Sequence, residues 1–188
     1  MDVKLIITDF DGTLVDTFEA NYQAYRQAFE DENITLTRDK YREWFGFRFD
    51  RFIREIGIID PEVKSRIKEK KAEYYPSYFQ HIRINRPLLE FIRAFHRQGG
   101  LTAIASTARE RNLRNALRHI DAETDFDLIL AGENVSHGKP DPEIYLKVLK
   151  ALDIRPDEAL VFEDSTVGLE AARSAGIRTM TITQKFFS

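Results

Sequence analysis

The spacing of hydrophobic positions changes along the chain and divides it into three parts. A short apolar run of β-branched type ends at Asp9 and Asp11, and this composition is typical of a buried strand. Between residues 16 and 84 aromatic residues recur at helical spacing, which predicts helices that pack through these residues. After residue 84 short apolar runs alternate with amphipathic segments. Alternating strands and helices predict a mostly parallel sheet with right-handed crossovers.

The boundaries of the predicted elements follow from the apolar runs and from glycine and proline. The predicted strands after residue 84 are Leu101–Ala105, Phe126–Ala131, Leu160–Phe162 and Thr179–Thr183. The predicted helices between them are Leu88–Gln98, Arg109–Ile120, Asp141–Leu152 and Thr166–Ala175. In the aromatic segment Pro61 opens a helix whose apolar positions continue to Phe79. The fold class is therefore α/β.

Composition and charge limit the classes of molecule that the protein is expected to bind. The chain has 188 residues, 43% of them hydrophobic, which suits one domain or a domain with a smaller insert. A net charge of -3 gives no general attraction to nucleic acid or anionic membranes, so we expect a small-molecule partner. The absence of cysteine excludes disulfides, thiolate catalysis and cysteine-bound zinc. The first apolar run is too short for a signal peptide or a membrane span, and we expect a cytoplasmic protein.

The acidic pair that ends the first apolar run is the main chemical signal. Asp9 and Asp11 lie two residues apart, so in an extended segment both side chains point the same way and repel each other. Such a pair needs a divalent cation, or a proton on one acid that can then serve as a proton donor. An acidic hairpin turn is the alternative, but no second apolar strand follows at hairpin distance.

Polar residues also follow the other predicted strands, and the carboxyl ends of parallel strands share one edge of a sheet. Ser106 follows the second strand, Lys139 lies in the loop after the third, and Glu163 and Asp164 follow the fourth. Taken singly, Ser106 could cap a helix, Lys139 could be solvated, and the acids could favour a helix N-terminus. Together they predict a site in which carboxylates hold Mg²⁺ while a lysine and a hydroxyl bind an anion.

At this point the sequence resembles the haloacid dehalogenase superfamily of phosphatases along nearly its whole length. The resemblance rests on four motifs: Asp9–Asp16, Ser106, Lys139 within Gly138–Tyr145, and Glu163–Ser165 with Gly168. These motifs are similar to those of the branch that contains phosphoglycolate phosphatase and β-phosphoglucomutase, in which a helical cap follows the first motif. The resemblance implies a Rossmann-like core, residues 1–15 and 85–188, and a helical cap, residues 16–84.

The resemblance also implies a role for each motif residue. Asp9 would attack phosphorus, and Asp11 would protonate the leaving oxygen and later deprotonate water. The implied Mg²⁺ ligands are Asp9, the carbonyl of Asp11, and Asp164, with Glu163 bound directly or through water. The implied phosphate-binding residues are Ser106, Thr107 and Lys139. In the cap, Arg48 interrupts a helical run among aromatic residues, where it either packs or contacts the leaving group of the substrate.

The function that the resemblance implies is Mg²⁺-dependent hydrolysis of a small phosphorylated metabolite through an aspartyl-phosphate. A phosphomutase is the enzymatic alternative, although the loop around Arg48 does not match the mutase pattern. A dehalogenase is disfavoured because that branch lacks an acid at the position of Asp11. A non-catalytic binding protein is the alternative from another class, and the intact acids argue against it. We expect a monomer or a weak homodimer.

Overall fold

The computed structural model describes residues 2–183 and 186–187. The strands are β1 (Leu5–Thr8), β2 (Val15–Asp16), β3 (Arg83–Ile84), β4 (Leu101–Ala105), β5 (Leu128–Leu130), β6 (Ala159–Glu163) and β7 (Arg178–Thr181). The α-helices are α1 (Phe18–Glu30), α2 (Arg38–Trp44), α3 (Phe49–Glu55), α4 (Pro61–Tyr74), α5 (Arg86–Arg97), α6 (Glu110–His119), α7 (Glu143–Leu152) and α8 (Thr166–Ser174). Short 3₁₀ helices span Tyr75–His81, Glu123–Asp125, Gly132–Asn134 and Pro156–Glu158. The predicted core range also includes Met1, Gln184, Lys185 and Ser188, which lie outside the described residues.

Five parallel strands form the main sheet, in the order β5-β4-β1-β6-β7. Thr8, the last residue of the central strand, pairs with Ile104 on one side and with Phe162 on the other. The residues that follow β1, β4 and β6 therefore emerge at the same edge. The parallel sheet with flanking helices confirms the predicted α/β fold with a Rossmann-like core.

Continuous apolar runs fit the central strands because both faces of a parallel sheet are covered. All four residues of β1 are buried. Leu5 and Ile7 belong to a cluster with Ile144, Tyr145 and Val148 of α7. Helix α7 is thus anchored by its apolar face in the core of the sheet unit.

The chain divides into two compact units, and residues 17–82 form the smaller one. Its core is largely aromatic, and the rings of Tyr41 and Phe52 pack edge to face with centroids 5.6 Å apart. The prediction of one helix from Pro61 to Phe79 is wrong at its C-terminal end. Helix α4 ends at Tyr74 and a 3₁₀ helix follows, because Pro76 cannot donate a backbone hydrogen bond to continue the α-helix.

A second, two-stranded sheet brings together the chain on either side of residues 17–82, the helical unit. Strands β2 and β3 are antiparallel, with Val15 opposite Ile84 and Asp16 opposite Arg83. The side chain of Asn85 donates to the carbonyl of Thr13 at 3.1 Å. The sequence does not predict this sheet, because two-residue strands show no periodicity.

Some predicted boundaries also shift by a few residues. The helix predicted from Asp141 begins at Glu143, because the Asp141 carboxylate accepts the Glu143 amide at 2.9 Å and lies outside the helix. The last strand is Arg178–Thr181, and Thr181 pairs with Glu163, where β6 ends. None of the helices in the described ranges has both the length and the apolar composition needed to cross a membrane.

Candidate active site

A buried ammonium group joins two carboxylates at the carboxyl edge of the main sheet. Lys139 Nζ donates to Asp9 Oδ1 and to Glu163 Oε1, each at 2.7 Å. The side chains of Lys139 and Glu163 are only 2% and 1% exposed. The structure therefore brings together three residues that sequence analysis placed at the ends of different strands.

The strand ends and the following helix fix the two carboxylates. The amide of Asp9 donates to the carbonyl of Phe162 at 3.0 Å, which extends the β1–β6 pairing by one residue. Glu163 Oε2 accepts the amide of Ser165 at 2.7 Å and its hydroxyl at 3.0 Å. The same hydroxyl accepts the amide of Gly168 and thereby caps α8. Both oxygens of Glu163 are thus hydrogen-bonded.

The positive charge of Lys139 balances only part of the negative charge of the carboxylates around it. Burial opposes the charge of Lys139, but attraction by Asp9 and Glu163 outweighs it and raises the pKa of Lys139 well above its usual value. Burial raises the pKa of Asp9, Lys139 opposes this rise, and Glu163 and Asp164 add to it. The ammonium group of Lys139, 2.7 Å from Asp9 Oδ1, favours the ionised form of Asp9. Lys139 contacts two of the three carboxylates, Asp9 and Glu163, and no contact joins it to Asp164 among those of the described residues.

Asp164 lies against the loop that follows β1. Thr13 Oγ1 donates to Asp164 Oδ1 at 2.8 Å. Gly12 has a φ of 90°, and a Cβ at this position would overlap the Asp164 carboxylate, so only glycine fits. Burial is the main cause that raises the pKa of Asp164 to about 6.

The carboxylate oxygens of Asp9 and Asp164 are donors of the type that binds a magnesium ion. The described residues contain no cluster of three or more histidine, cysteine, aspartate or glutamate side chains that could enclose a metal. Magnesium does not require such a cluster, since it is bound through one or two carboxylates together with water and substrate phosphate. Asp9 supplies a buried carboxylate and Asp164 a half-buried one, and the negative charge that Lys139 leaves unbalanced favours a further cation.

The remaining predicted residues lie in three segments of the chain. Ser106 directly follows β4, is buried, and its hydroxyl accepts the amide of Ala108 at 3.1 Å. It does not cap α6, because Arg109 precedes that helix. Thr107 is half-buried beside it, and Asp11 is half-buried in the loop after β1. Arg48 precedes α3 in the helical unit, and its role as a substrate residue stays a prediction.

Sequence analysis assigned no role to Tyr145, whose ring faces the buried lysine. The ring centroid lies 5.2 Å from Lys139 Nζ, a cation–π distance. Burial raises the pKa of the Tyr145 phenol further above its ordinary value, so the side chain stays neutral. The contribution of Thr13 to holding Asp164 was also missed.

Comparison with known proteins identifies the family. Residues 6–182 match the family model described as haloacid dehalogenase-like hydrolase. The chain belongs to the haloacid dehalogenase-like hydrolases. This match confirms the resemblance drawn from the four motifs, and as a member of this family the protein is a phosphohydrolase.

Individual relatives agree with this membership. The chain is 34% identical to the phosphorylated carbohydrates phosphatase of Thermotoga maritima over 93% of its length and 82% of the relative. A structure of a CbbY variant from Rhodobacter sphaeroides with xylulose-(1,5)bisphosphate is 27% identical, with a TM-score of 0.87, over 98% and 88% of the two chains. The β-phosphoglucomutase of Clostridium difficile is 25% identical, with a TM-score of 0.81, over 95% and 84%.

In this haloacid dehalogenase-like hydrolase, Gly168→Ala tests how closely α8 packs against the site. Alanine is the better helix former by about 1 kcal/mol, which alone would stabilise the protein. However, a Cβ at Gly168 would overlap Glu163 Oε1. We therefore expect a net loss of about 1–3 kcal/mol in the free energy of unfolding, since Glu163 must leave its position.

Chemical denaturation of the purified hydrolase measures this change. Ser174→Ala, at an exposed position of the same helix, is the matched control and should leave stability unchanged or raise it. A stabilised Gly168→Ala protein would contradict the close approach of α8 to Glu163.

Proposed function

We propose that this hydrolase is a Mg²⁺-dependent phosphatase that cleaves a small phosphorylated metabolite through an aspartyl-phosphate on Asp9. The observation that carries the proposal is the buried contact of Asp9 with Lys139 beside a second acid, Asp164. Phosphoryl transfer requires mainly positioning and positive charge around the transferred oxygens. Lys139 supplies a positive charge next to the proposed nucleophile.

In the first proposed step an oxygen of Asp9 forms a bond to phosphorus while the bond to the leaving oxygen breaks. The protonated carboxyl group of Asp11 gives its proton to the leaving oxygen. Lys139 keeps Asp9 ionised, and an ammonium has three donors, so it can also donate to a phosphoryl oxygen. Ser106 and Thr107 bind the remaining phosphoryl oxygens.

In the second proposed step the carboxylate of Asp11 takes a proton from water. The water oxygen attacks phosphorus, phosphate leaves, and Asp9 is restored as a carboxylate. Asp9, Asp164 and the carbonyl of Asp11 would hold Mg²⁺, which supplies charge neutralisation for the phosphoryl oxygens. Glu163 would contact the ion through water, since both of its oxygens already accept hydrogen bonds.

Phosphorylated sugars are the proposed substrate class. The names of two relatives support this class, one a phosphorylated carbohydrates phosphatase and the other bound to xylulose-(1,5)bisphosphate. A phosphomutase is the second candidate, because the chain is also similar to a β-phosphoglucomutase. The two activities differ in the acceptor of the phosphoryl group, which is water for a phosphatase and a sugar phosphate for a mutase.

The test is phosphate release from a panel of sugar phosphates and from p-nitrophenyl phosphate, with Mg²⁺ and with a chelator. We expect activity with Mg²⁺, loss of activity with the chelator, and recovery when Mg²⁺ is added back. Excess Ca²⁺ should suppress the rate, because calcium takes a larger and looser oxygen shell that disturbs the attack geometry of Asp9.

The Asp9→Asn protein, purified in the same way, is the control. Any phosphate released in its preparation is attributed to contaminating phosphatases. Full activity in the chelator would contradict the metal requirement. Conversion of a sugar phosphate to its isomer without phosphate release would favour the mutase. Absence of both activities across the panel would favour a non-catalytic protein.

A further inference from the structure

The loop that leads to Lys139 is held by one carboxylate from the first turn of α7. Glu143 Oε1 accepts the amide of Ser136 at 3.0 Å, and Glu143 Oε2 accepts the amide of His137 at 2.7 Å. Lys147, one turn further along the helix, forms an ion pair with Glu143 at 2.8 Å. The carboxylate therefore binds two successive amides of the loop with its two oxygens.

Three features make this carboxylate a firm attachment. The Lys147 ion pair and the two backbone hydrogen bonds lower the pKa of Glu143 to about 2, so it remains charged across the working range of most enzymes. Hydrogen bonds to a charged acceptor are stronger than those between neutral groups. Helix α7 is itself fixed in the core by its buried residues Ile144, Tyr145 and Val148.

Lys139 lies two residues beyond the second amide that Glu143 binds. On the other side its ammonium is fixed by Asp9 and Glu163, and the ring of Tyr145 faces it at 5.2 Å. The loop backbone thus fixes the position of the Lys139 Cα, and the two carboxylates fix the position of its Nζ. A shift of the loop would change the distance between the ammonium and the proposed nucleophile.

We propose that Glu143 is a positioning residue for catalysis, which acts through the loop amides to hold Lys139 beside Asp9. This inference rests on the proposed phosphatase function. A misplacement of a catalytic group by about 1 Å can reduce the rate a hundredfold. Loss of one of two anchoring bonds should have a smaller effect, and it should appear in kcat, because Lys139 lies against the nucleophile itself.

The test compares Glu143→Gln with a matched variant, Glu158→Gln. Glutamine keeps the size of the side chain, but its NH₂ group cannot accept one of the two loop amides. Glu158 likewise accepts a backbone amide, that of Arg155 at 3.3 Å, and pairs with Lys4 at 2.7 Å. It precedes β6 and so lies at the opposite edge of the sheet from the site.

We expect Glu143→Gln to lower kcat for p-nitrophenyl phosphate with Mg²⁺ by about tenfold, with a parallel rise in the inhibition constant of inorganic phosphate. Glu158→Gln should keep the kcat of the unmodified protein even where its Tm falls. Rates are measured well below the Tm of each variant, so that a change in kcat does not reflect unfolded protein.

Two further variants keep the test decisive. Lys147→Met removes the ion pair and the hydrogen bond from Lys147 to the carbonyl of Asn134 at 2.7 Å, but keeps both hydrogen bonds of Glu143 to the loop amides. Its kcat should fall less than that of Glu143→Gln. If Glu143→Gln does not fold, Glu143→Asp replaces it, because its charge is kept while its shorter side chain weakens the bonds to the loop. Its kcat should fall as well.

Unchanged kcat in the folded Glu143 variants would overturn the positioning role. An equal loss of kcat in Glu158→Gln would also overturn it, since the effect would then be one of general stability. Failure of the unmodified protein to release phosphate is a different outcome and would contradict the proposed function itself.

Discussion

Replacing Asp9 by asparagine is expected to lower phosphate release by about ten-thousandfold or more, as loss of a covalent nucleophile does in other enzymes. The amide has nearly the same shape but no charge. The substitution also removes a negative charge from beside Glu163 and Asp164, whose repulsion adds to the effect of burial in raising the pKa of Asp9. We therefore expect the fold to persist. Steady-state kinetics and a thermal melt measure the two effects.

Asp127→Asn is the control for this change. Asp127 accepts the amide of Thr102 at 2.8 Å near the start of β4, at the opposite edge of the sheet from Asp9. This control should lose stability but keep its activity. Acid quenching and intact-protein mass spectrometry should detect a phosphorylated species in the unmodified protein and none in Asp9→Asn. Near-normal turnover by Asp9→Asn would exclude the covalent mechanism.

Replacing Lys139 by methionine is expected to remove activity and to destabilise the fold together. Methionine fills a similar volume, but Asp9 and Glu163 are then left as buried carboxylates without their shared cation. Removing one partner of a buried ion pair costs about 3–5 kcal/mol. Chemical denaturation should show a loss of this size in the free energy of unfolding.

Lys4→Met provides the matched control, because Lys4 pairs with Glu158 at the same distance of 2.7 Å but is 57% exposed. Its loss should be within about 1 kcal/mol, as for other exposed pairs. Adding Glu163→Gln to Lys139→Met should recover part of the stability without recovering activity. Equal losses for Lys4→Met and Lys139→Met would show that burial does not determine the strength of the Lys139 contacts.

Much of the sheet unit and of the site follows from local patterns. The apolar run before Asp9 and the alternation of strands and helices after residue 84 predict parallel strands, and parallel strands bring their carboxyl ends to one edge. This rule alone placed Asp9, Lys139 and Glu163 near one another. The family membership inferred from the motifs was confirmed by the match over residues 6–182.

Long-range contacts could not be predicted in the same way. The direct bonds from Lys139 to two acids depend on side-chain directions that strand spacing does not determine. The contact between the ring of Tyr145 and Lys139 depends on which side of α7 faces the sheet at this position. Likewise, the hydrogen bonds from the loop amides to Glu143 depend on the conformation of the turn between Ser136 and α7. The sequence of this turn has no hydrophobic periodicity from which that conformation could be predicted.

The pairing of β2 with β3 has a consequence for how this architecture can diversify. Val15 and Asp16 oppose Ile84 and Arg83 in antiparallel register, so the two chain segments that enter and leave residues 17–82 are already side by side. For the antiparallel pair of β2 and β3, that entire segment occupies the place of a hairpin turn. Insertions at such a point leave the surrounding hydrogen-bond register intact. We therefore expect segments of different length and composition to be tolerated here, with the contact between Asp9 and Lys139 retained.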